Sequence, residues 1–252
     1  MKITRLAAVL LLAAAGVAHA QNTFAIQGKG ASSGKCIYSF DKSKDGFKVT
    51  SRYQARLTTP PPRTSNSDYS DNSNELNEVQ QTYSYKLDAN YAYMGGNVID
   101  STTQVNNGYS PNKQRTVMQM SMVQGGSQGP STQFPLMGGF IVMPNYDASA
   151  IQALLYQATL NPTSDNLYFL IVPQPGKGKA PLSVRAKWTA LQGTTGTLNG
   201  KPVTLHHFGF AFGKNIYNVY ADETNTLMEV DISVLNINLI RTGFALDAPA
   251  PK

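Results

Sequence analysis

The stretch from 203 to 246, VTLHHFGFAFGKNIYNVYADETNTLMEVDISVLNINLIRTGFAL, constrains this chain more than any other, because it reads as successive antiparallel strands and little else. Phe208, Phe210 and Phe212 alternate with Gly209 and Ala211. Side chains two apart share one face of a strand, so the three rings line one side and small residues the other. Ile216 to Tyr220 continues as a β-branched and aromatic run. Asp222-Glu223-Thr224-Asn225 is a turn cluster, since Asp and Asn bond their own backbone and tolerate left-handed conformations. Met228, Val230, Ile232 and Val234 then alternate with Glu229, Asp231 and Ser233, which predicts a half-buried strand with its acids facing water. Leu235, Ile237 and Leu239 fall on the opposite parity, placing a bulge or bend near Val234–Leu235. Upstream, Asn199-Gly200 predicts a type I′ hairpin turn, and Pro202 an edge position or a strand's first residue.

The first twenty residues carry an address. Lys2 and Arg5 precede the short apolar run Leu6 to Val17, and Ala18-His19-Ala20 fits a small-x-small cleavage site before Gln21. The apolar run is shorter than the roughly 20 residues of a membrane span, and no later segment is long and apolar enough. The expectation is export to the periplasm or the extracellular space. The mature part, about 230 residues, suits a single β-rich domain over 36–246, after a flexible leader at 21–35 and before a tail at 247–252. Cys36 is the only cysteine, so internal disulfides cannot hold the fold, and it reads as a small buried hydrophobe in the strand Cys36–Phe40. The net charge is +6, and removal of Lys2 and Arg5 leaves +4. Lysine and arginine are dispersed, the densest pair being Lys177 and Lys179 in a loop, which is not a nucleic-acid footprint.

Along the chain, Phe47, Val49, Tyr53, Ala55 and Leu57 alternate with polar residues as a strand with one solvated face. Residues 58–80 are rich in Pro, Ser, Asn and Asp and read as a long disordered loop. Tyr83, Tyr85 and Leu87 open a further strand region. Residues 106–113 read as a loop. Met118, Met120 and Met122 line one face of the next strand. Asp147 is an N-cap ahead of the one convincing helix, whose apolar positions are Ile151, Leu154, Leu155 and Ala158, stopped by Asn161-Pro162. Leu167 to Pro173 is a nearly continuous apolar strand. Leu182, Val184, Ala186 and Trp188 point inward from the strand after it. The fold expected is mainly β: a curved or barrel-like antiparallel sheet with one packed α-helix.

Recognisable catalytic patterns are sparse. G-x-S-x-G occurs at Gly30–Gly34 and Gly125–Gly129, but neither copy precedes a helix, as a nucleophile elbow requires. His206 and His207 are the histidines left after cleavage, and as neighbours in a strand they face opposite ways. Either could be a general base oriented by Asp222, Glu229 or Asp231. No Cys/His spacing suits a metal and no phosphate-cradling loop precedes a helix, so no metal or cofactor is expected.

The order of meander, helix and second long meander, carried by Leu167 to Phe244 and above all by YNVYADETNTLMEV, resembles exported bacterial proteins of unknown function with a curved antiparallel sheet. In outline these are similar to the periplasmic lipoprotein carriers. The resemblance implies a half-barrel around an apolar cavity. The function expected is non-enzymatic binding, in the sheet's concavity, of a lipid or apolar small molecule or of an envelope protein. The expected lining is Met118, Met120, Met122, Trp188, Phe208, Phe210 and Phe212. The alternatives are an envelope hydrolase using His206 or His207, and a structural or surface-interaction protein. One expectation is open to direct measurement: protein recovered from its own cell envelope should have the intact mass of a chain beginning at Gln21, and a mass that retains Met1–Ala20 would remove the export reading.

Overall fold

The computed structural model describes residues 21–28, 31–57, 77–129, 131–136, 139–144, 147–160, 162–163, 165, 167–173, 181–212 and 215–247, with the side chains at 31, 32, 57, 77, 212 and 215 excepted. The expected signal peptide, residues 58–76 of the expected loop and the tail beyond Asp247 lie outside the described residues. A first meander runs through β1 (Asn22–Gln27), β2 (Ala31–Ser43), β3 (Gly46–Leu57), β4 (Asn77–Leu87), β5 (Tyr93–Asp100), β6 (Val105–Pro111), β7 (Val117–Gln124), β8 (Ser127–Gln128) and β9 (Thr132–Pro135). Then come β10 (Gly139–Val142), α1 (Ala148–Leu160) and β11 (Leu167–Val172). A second meander follows through β12 (Leu182–Leu198), β13 (Lys201–Phe212), β14 (Asn215–Asp222), β15 (Leu227–Ile232), a 3-10 turn at Ser233–Leu235, β16 (Ile237–Arg241) and β17 (Phe244–Leu246).

All seventeen strands belong to one curved sheet that does not close. Its pairing runs from β10 through β11 to β16 in order, crosses from β16 to β1, and continues in order to β7. β8 and β9 lie along the outer edge of β7, and β17 pairs with the end of β12 at Gly196–Leu198. The mainly β fold with one packed helix is therefore as expected, but the sheet is mixed. β10 and β11 are parallel, because a parallel pair needs a long crossover and α1 is that crossover.

The largest correction concerns the N-terminus. Residues 22–27 and 31–35, expected as a flexible leader, are strands, and β1 is the seam between the two meanders: Phe24 is registered with Cys36 on one side and with Arg241 on the other. Phe24 and Ile26 are fully buried on its inner face. The run is too short, and too closely flanked by Gly and Ser, for its alternation to stand out. Residues 106–111, also expected as loop, form most of β6. Asn-Asn-Gly-Tyr-Ser-Pro has poor strand propensity, and pairing with β5 and β7 overrides it. The 58–80 loop ends earlier than its composition suggests, since Asn77–Gln80 already pairs with β3.

Local turn chemistry follows the sequence. Asn199 and Gly200 have φ of 52° and 76°, as a type I′ turn demands. Asp222 Oδ1 accepts from the backbone N–H of Thr224 and Thr226, and Asn225 is left-handed. The parity change after Val234 is the 3-10 turn, closed by left-handed Asn236. A second irregularity was not legible. The β14–β15 register slips between Tyr220 and Ala221, so Leu227 and Val230 enter the main core whereas Met228 joins a small second core with Leu205 and Phe244.

Asp147 caps α1, accepting from the N–H of Ser149 (2.8 Å) and Ala150 (3.3 Å). The helix is not the half-exposed amphipathic element that the spacing of Ile151, Leu154, Leu155 and Ala158 predicts. Ala148 to Leu155, Gln157 and Ala158 are all buried, because the sheet curves around the helix and it touches β2, β3, β10 and β15. Its polar residues are consequently anchors. Gln152 Oε1 accepts from Tyr38 Oη of β2 (3.2 Å) and from the N–H of Leu227 in β15 (2.7 Å), and its Nε2 donates to Asn225 O (2.8 Å). Tyr85 Oη donates to Ser149 O (2.8 Å), Tyr83 Oη to Val142 O (2.7 Å), and Ser51 Oγ to Asp147 Oδ2 (2.7 Å). Gln152→Leu keeps the volume but strands two buried polar groups, Tyr38 Oη and the Leu227 N–H, and the part-buried Asn225 carbonyl. It should lower unfolding stability by about 2–4 kcal/mol, read from urea denaturation midpoints.

Candidate functional site

The side chains expected to line a cavity are where a curved sheet must put them, on its inner face. Met118, Met120 and Met122 alternate with exposed Gln119, Ser121 and Val123 along β7. Trp188 of β12 stands opposite Phe210 of β13, with ring centroids 5.3 Å apart, and touches Phe208 at 5.2 Å. The Phe212 side chain lies outside the described residues. Met118, Met120, Trp188, Phe208 and Phe210 belong to the same apolar core as α1, so this face is packed, and neither open groove described below is lined by them. Several buried polar atoms have no hydrogen-bond partner among the described residues, and two of them matter here. Trp188 is 5% exposed and Tyr109 is 2% exposed, yet Trp188 Nε1 and Tyr109 Oη have no hydrogen-bond partner among the described residues. Tyr109 is registered directly opposite Met120. An unmet buried group of this kind costs about 1–3 kcal/mol. Sequence reasoning missed Tyr109 because it sits in the segment taken as loop.

Three of the histidine and carboxylate candidates, His207, Glu229 and Asp231, meet on the other face of the second meander. One row across the sheet is His207–Tyr220–Glu229–Ile240, and the next is Gly209–Asn218–Asp231–Asn238. His207 stacks on Tyr220 with centroids 4.5 Å apart and an interplanar angle of 14°. His207 Nε2 lies 3.1 Å from Asn218 Oδ1, Asn218 Nδ2 donates to Asp231 Oδ2 (3.3 Å), and so does Ser233 Oγ (2.7 Å). Asn238, with its amide oriented to satisfy its neighbours, donates to Asp231 Oδ1 (3.2 Å). The structure thus brings His207 and Asp231 into one network but interposes Asn218 between them. His206 is exposed on the opposite face, and Asp222 is engaged in its own turn. The expectation that both acids are solvated is corrected for Glu229, which is only 6% exposed. Tyr220, Met228 and Ile240 cover this outer face around the second core, so a water-facing parity is not water-exposed here.

Burial, and secondarily the charge of Asp231, pushes the Glu229 carboxyl up to about 7. Asp147 is also raised by burial, against hydrogen bonds from Ser149 and Ser51 that lower it. Burial likewise raises the Cys36 thiol, which lies 3.5 Å from Ser51 Oγ; a thiol held protonated in the core is a packing residue. Ser127 of the second G-x-S-x-G copy is exposed in the β7–β8 hairpin, with no helix after it. Among the described residues no group of three or more His, Cys, Asp or Glu is placed to hold a metal ion.

An open groove of about 550 Å³ crosses the solvent face of β3–β7, over Gly95, Gly96 and Gly108, between Lys48 and Lys86 on one side and Gln119 and Ser121 on the other. A second, of about 520 Å³, lies beside the β1 seam and is lined by Lys35 and Arg241 among others.

Compared with family models, with curated proteins and with solved structures, the chain matches none. Glu229 supplies a test of the second-meander network. Its raised folded-state pKa means that folding disfavours the ionised form, so its contribution is fully present below about pH 4.5, is lost as the pH rises towards 7, and stays lost above. Glu229→Gln should therefore be more stable than the parent at pH 8, with the difference shrinking as the pH falls from about 7 and gone near pH 4.5. Thermal midpoints of the two proteins measured across pH 4–8 check this.

Proposed function

We propose that this chain is an exported, non-enzymatic binding protein that takes an apolar or amphipathic ligand, or an envelope partner presenting one, against the inner face of its curved sheet. The observation that supports this reading is that the apolar core to which Met118, Met120, Phe208 and Phe210 belong contains buried polar atoms without a hydrogen-bond partner among the described residues, Trp188 Nε1 and Tyr109 Oη among them. A molecule with an apolar body and a few polar atoms answers both needs of such a core. Methionine side chains are unbranched and flexible, so a row of them can repack around a guest where a row of isoleucines could not.

Tyr109→Phe separates this reading from ordinary packing. Removing a buried hydroxyl that lacks a partner should make the ligand-free protein more stable, by about 1–3 kcal/mol. Native mass spectrometry of the parent from its own envelope should find a lipid or apolar molecule in stoichiometric amount, with lower occupancy in the variant. A parent with a bare mass that gains nothing on incubation with envelope lipids would sink the proposal.

A further inference from the structure

The groove over β3–β7 is built from the solvent face of a continuous sheet, and its composition is selective. Its main register row is Thr50–Ser84–Asn97–Gly108–Ser121; beside it lie the registered runs Lys48–Lys86–Gly95 and Ser110–Gln119. Gly95 and Gly108 keep the floor low. A Cβ at Gly108 would stand 2.7 Å from Ser121 Oγ and 3.2 Å from Asn97 Oδ1, and Gly95 has φ of +131°, which side chains rarely adopt. The rim carries hydroxyls and carboxamides, and among the described residues no acidic side chain lines the groove. Lys48 and Lys86 are directly opposite each other across β3 and β4. Like charges at that position destabilise a sheet. Asp41 flanks Lys48 on its far side, in β2, and Asp88 near Lys86 is engaged by the N–H groups of Asn90 and Ala92 and by Arg115 at 4.0 Å. Over the glycine floor itself the local charge is positive.

We infer that this groove binds an acidic glycan: a chain of hydroxylated rings bearing carboxylate or sulfate groups, with the anion between Lys48 and Lys86 and the hydroxyls on Ser84, Asn97, Ser110 and Gln119. An extended peptide does not suit it, because the floor lies inside the sheet and offers no free strand edge to pair with. A nucleic acid does not suit it either, because Tyr85 and Tyr109 are both buried rather than exposed as a stacking platform. The site is on the face opposite the one in the proposed function and does not rest on that reading.

Calorimetric titration of the full chain tests this with three probes: an oligogalacturonate hexamer, a heparin-derived hexasaccharide and neutral maltohexaose. At least one acidic hexamer should bind, and bind more tightly than maltohexaose. Lys86→Gln should weaken that binding roughly tenfold, the scale of one charge-assisted contact. Lys187→Gln removes the same charge from exposed β12 and should change nothing. Gly108→Val, which raises the floor, should abolish binding while thermal melting reports whether the fold is kept; if it is not, Lys86→Gln decides alone. Failure of both acidic hexamers to bind, equal binding of maltohexaose, or equal loss in Lys86→Gln and Lys187→Gln each overturns the inference. Preference for the galacturonate or for the sulfated chain would identify the acidic group recognised.

Discussion

Much in this molecule hangs on one buried carboxamide. Gln152 sits in the middle of a helix with no solvent-facing stripe, and it joins Tyr38 of the first meander to Asn225 and Leu227 of the second. A sheet of this width cannot stay open and curved on strand pairing alone, since neighbouring strands set twist but not the distance between remote parts of the sheet. The helix supplies that distance. Tyr83, Tyr85 and Ser51 bring further hydroxyls from the first meander to the backbone of β10 and α1 and to the Asp147 cap. Each is a directional contact inside an apolar core, where the alternative is an unmet polar group, so together they specify one placement of helix against sheet.

The second constraint is the seam. β1 pairs with β2 by its own hairpin and with β16 from the far end of the chain, so the N-terminal strand of the domain completes a sheet whose other half is the last to be made. The two meanders are mostly local, with neighbours in sequence that are neighbours in space; the β1–β16 pairing and the α1 contacts are the long-range steps that join them. Non-local closure of this kind is the slow part of folding a β protein, and Phe24 and Ile26, buried on the inner face of β1, are what makes it favourable.

The two faces of the sheet then divide their roles. The inner face holds the apolar core together with the Trp188 indole and Tyr109 phenol, which lack partners among the described residues. The outer face carries polar ladders. In the second meander these are side chains of His207, Asn218, Asp231 and Asn238 bonded strand to strand, which pin the register where a one-residue slip would turn Glu229 and Tyr220 inward. In the first meander the outer face is left open over glycines.

The residues legible from sequence alone were those whose conformation is decided within a few neighbours. Asn199-Gly200 and Asp222–Asn225 are turns because of their own side chains, Asp147 is a cap because of its carboxylate, and the parity of Met118–Met122 and of Phe208 and Phe210 followed from alternation. What sequence periodicity could not reveal depended on partners far along the chain. Residues 22–27 became a strand because β16 and β2 enclose them. Gln152 is buried because a sheet wraps both sides of its helix. Glu229 is buried between Tyr220 and Ile240, registered on either side of it, after a slip in register that no local pattern marks. Alternation specifies which residues share a face. Only the tertiary structure decides whether that face meets water, a helix or another part of the same sheet, because burial is a property of what packs opposite and not of the strand itself.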